Sequence, residues 1–197
     1  NKYFKYNHDF VKKITSLRDK ISHPKDLINL KDEIKFIERE ITLFHAQITN
    51  EIIKKSKLYV DFVGFHGQTI YHDVEKKITK QLGDGKLLSQ LTKKSVVYNF
   101  RQTDLKNGGE GAPLTPIFHK LIVEMFEKEN KLNTPVTILN IGGIANITSI
   151  DQTFNMTSSD IGPGNCLIDK WIRANSAKNF DDEGKIAESG KIDKFIL

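Results

Sequence analysis

A long helical pattern that gives way near residue 58 to short β-rich segments is the feature that most constrains the fold of this chain. Pro24 opens the pattern, and apolar side chains then recur at alternating spacings of three and four residues, which indicates one face of a helix. They are Leu27, Leu30, Ile34, Ile37, Ile41, Phe44 and Ile48. The spacing also fits a coiled-coil seam, but the flanking positions show no consistent charge pairing. We therefore favour a long helix that lies on a core.

The segments around this helix predict a mixed α/β protein. A shorter helix is expected before it, over residues 8–21, and a clear helix well after it, over 113–129. Short strands are expected from β-branched and aromatic runs bounded by turn residues. They lie at 58–65, 69–72, 77–82 and 96–100, with a helical piece at 87–93.

A polar stretch that ends in Pro135 is the best linker candidate in the chain. Beyond it, two strands over 136–150 are predicted to meet at a Gly-Gly hairpin turn, a third strand is expected at 153–156, and a helix at about 166–174. This order of elements indicates two α/β units, residues 1–134 and 135–197.

Composition excludes several classes of function. Charged residues make up 28% and hydrophobic residues 38%, as in a globular protein. The net charge of +5 is dispersed and forms no basic patch of the kind that nucleic acids need. No apolar run approaches a membrane span, and the single cysteine, Cys166, excludes an internal disulfide framework. We therefore expect a cytoplasmic protein that binds neither nucleic acid nor membrane. Both ends of the chain have the look of truncation.

Four glycine-rich stretches follow β-rich segments, at residues 64–69, 108–113, 140–146 and 160–165. Glycine lets backbone N–H groups approach a ligand closely, and a Gly-Gly hairpin can present amides to phosphate oxygens. Gly-Gly is also a common hairpin turn with no ligand, so each stretch alone is weak evidence. None of them fits the P-loop or the Rossmann fingerprint.

Chemistry-bearing side chains lie in or beside these stretches. Asp104 is a candidate general base and Arg101 a candidate cation. Polar side chains able to hold a ligand are His66, Gln68, Thr69, Asp84 and Asn146. Ligands in α/β folds bind where strand ends and loops converge, and this inventory suits phosphoryl transfer to a polar small molecule. A structural, hydrogen-bonded histidine is the alternative interpretation of His66. No metal site is predicted directly, because no Cys or His cluster has ligand spacing.

Five segments together resemble the bacterial 1,6-anhydro-N-acetylmuramic acid kinases, cytoplasmic enzymes of cell-wall recycling in the actin–hexokinase–Hsp70 superfamily. They are VGFHGQTIYH, QLGDGKLL, NFRQTDLKNGGEGAPLTPIFH, LNIGGIANIT and DIGPGNCLID. The resemblance implies a ribonuclease H-like (actin-like ATPase) fold, with mixed sheets flanked by helices. It also implies truncation at both ends: a first domain without its first phosphate-loop strand, and an incomplete second domain.

The resemblance implies a reaction as well. ATP and Mg²⁺ would serve to open the anhydro bond of the sugar and to phosphorylate O6, giving N-acetylmuramic acid 6-phosphate. Asp104, held by a strand end, would activate the attacking water, and a nearby Arg101 would keep its carboxylate ionised. Further sugar contacts are implied for His66, Gln68, Thr69, Asp84, Gly108 and Gly109. Contacts to the ATP phosphates are implied for Gly142, Gly143, Asn146, Asp160, Gly162 and Gly164. A homodimer is also implied.

Three positions depart from the family pattern. Glu110 stands where Gln is usual, Asn99 where Asp is usual, and Ile161 where Thr is usual. A buried Glu110 would bring an uncompensated charge into the site. These departures, and the lack of a G-T-S-x-D-G loop, leave an alternative function: an inactive remnant that retains only sugar or partner binding. A third hypothesis, that the chain is a nucleic-acid-binding module, is supported by the net charge alone.

Overall fold

The computed structural model describes residues 3–57, 59–192 and 194–195. The predicted strand at 58–65 therefore begins at a residue, Leu58, that lies outside the described part. The chain divides into two compact units, Asn1–Ala112 and Pro113–Leu197. Helices and small sheets occur in both units, so the predicted mixed α/β class is confirmed.

The first unit begins with three helices, α1 (His8–Asp19), α2 (Pro24–Asn29) and α3 (Lys31–Ser56). The predicted single helix from Pro24 is thus two helices, because the backbone of Leu30 leaves the helical region at φ −99° and ψ 17°. Ile34, Ile37 and Ile41 are buried, with at most 5% of each residue exposed. The prediction of a helix lying on a core is therefore confirmed for α3.

The rest of the first unit consists of short strands and two short helices. They are β1 (Phe62–Phe65), β2 (Gln68–Asp73), β3 (Ile78–Leu82), α4 (Gly85–Thr92), β4 (Ser95–Tyr98) and α5 (Phe100–Lys106). β1 pairs in parallel with β4, and β2 forms an antiparallel hairpin with β3. The predicted strand at 96–100 is wrong in its last two residues. Asn99 turns the chain at φ 63°, and Phe100 already begins α5.

The core of the first unit lies between α1, α3, the β2–β3 hairpin and α4. Its most deeply buried side chains are Leu17, Ile41, Leu82 and Leu88, each at most 1% exposed. Burial of one such side chain stabilises a fold by about 1.5–3 kcal/mol. This core fixes the hairpin and the start of α4 against α3, which is the frame for the site described below.

In the second unit, a helix precedes a three-stranded antiparallel sheet in the order β5-β6-β7. Within the described residues, two further helices and a 3₁₀ turn follow the sheet. The elements are α6 (Thr115–Lys128), β5 (Val136–Ile141), β6 (Ile144–Ile150), β7 (Met156–Pro163), α7 (Cys166–Asn175), a 3₁₀ turn (Asp182–Gly184) and α8 (Lys185–Ser189). The strand predicted at 153–156 is wrong in position. The Asp151 carboxylate accepts the N–H groups of Thr153 and Asn155, which closes a turn there, and the strand starts at Met156.

Helix α6 belongs to the second unit, so the division falls between Ala112 and Pro113 and differs from the sequence-based boundary at 134/135. The imidazole of His119 lies 2.8 Å from the Thr148 hydroxyl on β6, and Val123 is 1% exposed. The helix therefore packs on the sheet that follows it. Its more apolar side, which includes Ile117, Phe118 and Leu121, is exposed.

Candidate active site

The turn between β1 and β2 presents His66 at the surface of the first unit. Gly67 follows it with φ 72°, and a Cβ atom at Gly67 would overlap the backbone carbonyl of Leu82. Only glycine fits a position that needs both a left-handed backbone and this close approach. The Nδ1 atom of His66 lies 2.8 Å from the Gly67 carbonyl oxygen. The turn thereby fixes the orientation of the imidazole.

Arg101, on the first turn of α5, joins His66 to the loop after α5. Its Nε–H donates to His66 Nε2 at 3.0 Å, and Nη1 donates to the carbonyl oxygen of Gly111 at 2.8 Å. Both bonds use the rigid fork of the guanidinium group, so they fix its plane as well as its position. His66 and Arg101, which are 35 positions apart in sequence, therefore meet in the structure.

Asp104 lies one helical turn after Arg101 and holds the same loop. Its Oδ2 accepts the Gly111 N–H at 2.7 Å, and its backbone carbonyl accepts the Gly109 N–H at 3.0 Å. A Cβ atom at Gly109 would overlap the Asp104 carboxylate. The absence of a side chain at Gly109 thus lets the loop backbone lie against the candidate base. The side chains of Arg101 and Asp104 hydrogen-bond both backbone polar groups of Gly111, which is buried.

Two expectations about Asp104 need correction. The residue lies within helix α5 and not at a strand end. Among the ion pairs of the described residues, none joins Asp104 to Arg101, because the guanidinium donates instead to His66 and to Gly111. The two side chains instead bond the two backbone polar groups of Gly111, its carbonyl oxygen and its N–H. Gly108, also predicted to contact the sugar, has φ 92° and open space where a Cβ atom would stand.

Three other predicted sugar contacts have partners within the protein. The Oδ1 atom of Asp84 caps α4 by accepting the N–H groups of Lys86 and Leu87 at 2.9 and 3.0 Å. The hydroxyl of Thr69 accepts a bond from Gln81 at 3.3 Å. Gln68 is exposed, and within the described part of the chain its side chain bonds only the carbonyl oxygen of Thr69, at 3.4 Å. The Oδ1 atom of Asp84 therefore has a structural role, and Gln68 is the most available of the three.

A cavity of about 250 Å³ opens beside His66 and Asp84. Its other lining residues are Glu38, Phe65, Thr79, Lys80, Gln81, Gly83, Tyr98 and Asn99. The structure thus brings His66 and Asp84 to one cavity, whereas Arg101 and Asp104 lie outside its lining. The walls mix two acidic groups, a basic group and several amide or hydroxyl groups, which is the chemistry that binds a polar small molecule.

Sequence reasoning missed Glu38 and Lys80, which face each other across this cavity wall. The Lys80 ammonium group donates to Glu38 Oε1 at 2.6 Å, and the same oxygen accepts the Gly83 N–H at 3.3 Å. Glu38 lies on α3, inside the helical pattern, where a glutamate is expected on a solvent-facing side. No motif marks it, so only the packing of α3 against the hairpin reveals its place at the cavity.

In the second unit, the predicted hairpin turn at Gly142 and Gly143 is confirmed. The carbonyl oxygen of Gly142 accepts the Asn165 N–H at 2.7 Å, and that of Gly143 accepts the Gly164 N–H at 2.9 Å. A Cβ atom at Gly164 would overlap the Gly142 carbonyl, whereas one at Gly143 would meet nothing within 4 Å. The turn is thus locked to the start of α7 on one side and open on the other.

A polar row crosses the sheet next to this turn. Asn140, Asn146 and Asp160 are direct cross-strand partners on β5, β6 and β7, so their side chains share one face. A bulge interrupts the pairing of β6 with β7 beside Asn146, and Gly162 has φ 149° with open space around it. The structure therefore brings together the predicted phosphate ligands Gly142, Gly143, Asn146, Asp160, Gly162 and Gly164 at one end of one sheet.

The departures from the family pattern have simple structural settings. Asn99 adopts the left-handed conformation at φ 63°, which asparagine tolerates better than most residues. Glu110 is exposed, so the expected cost of a buried charge does not arise. Ile161 is 54% exposed at the bulge of β7.

No cluster of three or more His, Cys, Asp or Glu side chains in the described residues has the arrangement of a metal site. The same part of the chain contains no helix that is long and apolar enough to cross a membrane.

Comparison with known proteins places these features in one family. The family model for anhydro-N-acetylmuramic acid kinase matches residues 2–197. A relative from Pelagibacter ubique with that name is 51% identical over 199 residues, which cover 100% of this chain and 52% of the relative. One from Rhodopseudomonas palustris is 38% identical over 163 residues, 81% of this chain and 43% of the relative. One from Acidiphilium cryptum is 43% identical over 137 residues, 70% of this chain and 37% of the relative.

The chain spans about half the length of the curated relatives that it matches. The mixed α/β architecture agrees with the actin-like sugar kinase fold that the motifs imply. Because the match extends over nearly every residue, the chain belongs to the anhydro-N-acetylmuramic acid kinase family.

Proposed function

We propose that this chain contributes the sugar-binding part, and one phosphate-binding turn, of an ATP-dependent kinase that acts on 1,6-anhydro-N-acetylmuramic acid. The observation that carries the proposal is the pair of hydrogen bonds to Gly111: Arg101 donates to its carbonyl oxygen and Asp104 accepts its N–H. A carboxylate held in this way by a glycine loop has the fixed position that a general base needs. The family match over residues 2–197 supplies the class of substrate.

Asp104 acts as the general base in this proposal. Its Oδ2 is occupied by the Gly111 N–H, while Oδ1 accepts no hydrogen bond within the described part of the chain. Oδ1 is therefore the atom that would take a proton from the water attacking the anomeric carbon. Opening of the anhydro bond frees O6 of the sugar, which accepts the γ-phosphoryl group and gives N-acetylmuramic acid 6-phosphate.

The sugar is held by polar groups of the first unit. Gln68, Thr69, Asp84 and Arg101 offer side-chain donors and acceptors, and His66 lines the cavity. Gly108 and Gly109 permit close approach of the backbone, because Gly108 has open space around it and Gly109 leaves room for the carboxylate of Asp104. Such groups fix the orientation of a polar ligand in a cavity.

The phosphate groups of ATP are held at the glycine turn of the second unit. The N–H of Gly143 donates to no other group within the described residues, and a Cβ atom there would stand in open space. A free amide with open approach fits a phosphate oxygen. Gly142, Gly162 and Gly164 shape the turn around it, and the amide of Asn146 lies on the adjoining face.

Asp160 and Asn146 fit a role next to Mg²⁺. A lone carboxylate would repel phosphate oxygens, whereas Mg²⁺ is usually bound by one or two carboxylates together with phosphates and water. When bound, the ion neutralises charge that develops on the transferred phosphoryl group. We also infer a cytoplasmic location, because the reaction consumes ATP. We further infer a homodimer, and a measurement of molecular mass by light scattering would test it.

Two measurements test the proposal. Calorimetric titration of the 197-residue chain with 1,6-anhydro-N-acetylmuramic acid should show binding, and N-acetylglucosamine should bind at least about tenfold more weakly. A chimera in which this chain replaces the matched segment of the Pelagibacter ubique relative should release ADP only when the anhydro sugar is present. Sugar binding without ADP release would identify an inactive remnant. Absence of both, with the intact relative active, would exclude the proposed function.

A further inference from the structure

We propose that His66 is a positioning residue. As the neutral Nδ1–H tautomer it orients Arg101, and through Arg101 it fixes the Gly111 loop that is hydrogen-bonded to Asp104. The proposal rests on the function proposed above for Asp104, but its structural part stands on hydrogen bonds alone. It assigns His66 a role other than the sugar contact that the family resemblance implies.

The partners of the His66 ring decide its tautomer. The Gly67 carbonyl oxygen lies 2.8 Å from Nδ1, and a carbonyl oxygen only accepts, so Nδ1 carries the proton. The Nε–H of Arg101 lies 3.0 Å from Nε2, and an arginine N–H only donates, so Nε2 is the unprotonated nitrogen. The Nε2–H tautomer and the doubly protonated ring would each place two N–H groups against one another at Arg101.

Four hydrogen bonds connect the β1–β2 turn to the candidate base. The Nδ1–H of His66 donates to Gly67, and Arg101 donates from Nε to His66 and from Nη1 to Gly111. The Gly111 N–H then donates to Asp104 Oδ2 at 2.7 Å. Each hydrogen bond has a defined donor and acceptor. A change in the protonation of the His66 ring therefore affects the position of Arg101, then of Gly111 and then of Asp104.

Both ring nitrogens of His66 are engaged by the protein, although the side chain is exposed. No lone pair or N–H remains for a sugar hydroxyl while these bonds persist. The imidazole can still form part of the cavity wall with its carbon atoms. The geometry therefore favours a role through Arg101 over direct recognition of the sugar.

A matched pair of substitutions separates the two roles. In His66→Gln the amide oxygen can reach the place of Nε2 and accept from Arg101, whereas the shorter side chain in His66→Asn reaches only the place of Nδ1. If His66 is a positioning residue, His66→Asn should lower kcat of the chimera about tenfold or more, since it removes an acceptor from a charged donor. His66→Gln, which keeps an acceptor for Arg101, should retain kcat within about threefold of the parent, and the loss in His66→Asn should fall mainly on kcat.

Nuclear magnetic resonance tests the structural part in the 197-residue chain itself. The ¹⁵N shifts of the His66 imidazole should report the Nδ1–H tautomer, and the Arg101 Nε–H should exchange slowly with solvent. His66→Asn should abolish that slow exchange and His66→Gln should keep it. An Nε2–H tautomer, or an Arg101 Nε–H unaffected by His66→Asn, would overturn the proposal.

Kinetics and binding distinguish the remaining outcomes. A His66→Asn chimera with normal kcat and weaker sugar binding would show a direct sugar contact and contradict the positioning role. If the parent chimera is inactive, the proposed kinase function fails, while the resonance experiment on the chain still decides whether His66 holds Arg101.

Discussion

The hydroxyl oxygen of Thr42 accepts the N–H of Asp84 at 2.9 Å, and this bond joins the middle of α3 to the turn that opens α4. Thr42 is fully buried, and its hydroxyl donates in turn to the Glu38 carbonyl oxygen at 2.7 Å. Glu38 accepts the N–H of neighbouring Gly83 through its side chain. The long helix, where no family motif lies, therefore holds the cavity wall that carries Asp84.

Replacement of Thr42 should show this connection. Thr42→Val keeps the shape of the side chain but leaves the Asp84 N–H without an acceptor, and we expect the free energy of unfolding to fall by about 1–3 kcal/mol. Thr42→Ser keeps the hydroxyl and should lose less. Urea unfolding of the three proteins makes the comparison. A valine variant as stable as the serine variant would mean that the bond contributes nothing.

Asp104→Asn should stop turnover and spare sugar binding. The amide keeps an oxygen for the Gly111 N–H but cannot take a proton from water, and loss of a general base costs about 10²–10⁴-fold in rate. ADP release by the chimera and calorimetry on the chain measure the two effects separately. A near-normal kcat in the asparagine variant would remove Asp104 from the mechanism.

Two glycines of the second unit should respond in opposite ways to alanine. A Cβ atom at Gly164 would overlap the Gly142 carbonyl, so Gly164→Ala should destabilise the protein by about 1–3 kcal/mol. Gly143→Ala meets nothing within 4 Å and should leave the unfolding free energy nearly unchanged. In the chimera, Gly143→Ala should instead raise the KM for ATP. Equal stability losses in the two variants would contradict this account of the turn.

His45 should make stability depend on pH. Burial lowers its pKa from the ordinary value of 6.5, and its Nε2 atom lies 2.7 Å from the Tyr6 hydroxyl oxygen. Because the folded state binds the proton less readily than the unfolded state, this contribution is complete above about pH 6.5 and declines as the pH falls below it. His45→Gln, which does not titrate, should lose less stability between about pH 7.5 and about pH 5.5. Equal losses in chemical unfolding would refute the assignment.

Much of the secondary structure follows from local patterns. The face of α3 that contains Ile34 and Ile41, the strands β2 and β3, the Gly142–Gly143 turn and α7 all occur where periodicity and turn residues predict them. These signals are local, since spacing and turn chemistry act over a few residues. The misplaced third strand and the break at Leu30 arise where a side-chain bond or a backbone departure ends a regular element.

For the candidate site, too, some features follow from the sequence and others only from the tertiary structure. The sequence by itself determined which residues bear the chemistry: Asp104, Arg101 and the glycine stretches are visible as motifs. Only the tertiary structure decided their partners. It pairs Arg101 with His66 and Gly111, not with Asp104. It also bonds Thr42 to Asp84 and brings Glu38 to the cavity. The physical reason is that hydrogen bonds between residues distant in sequence depend on how α3, the hairpin and α5 pack, and no spacing along the chain encodes that packing directly.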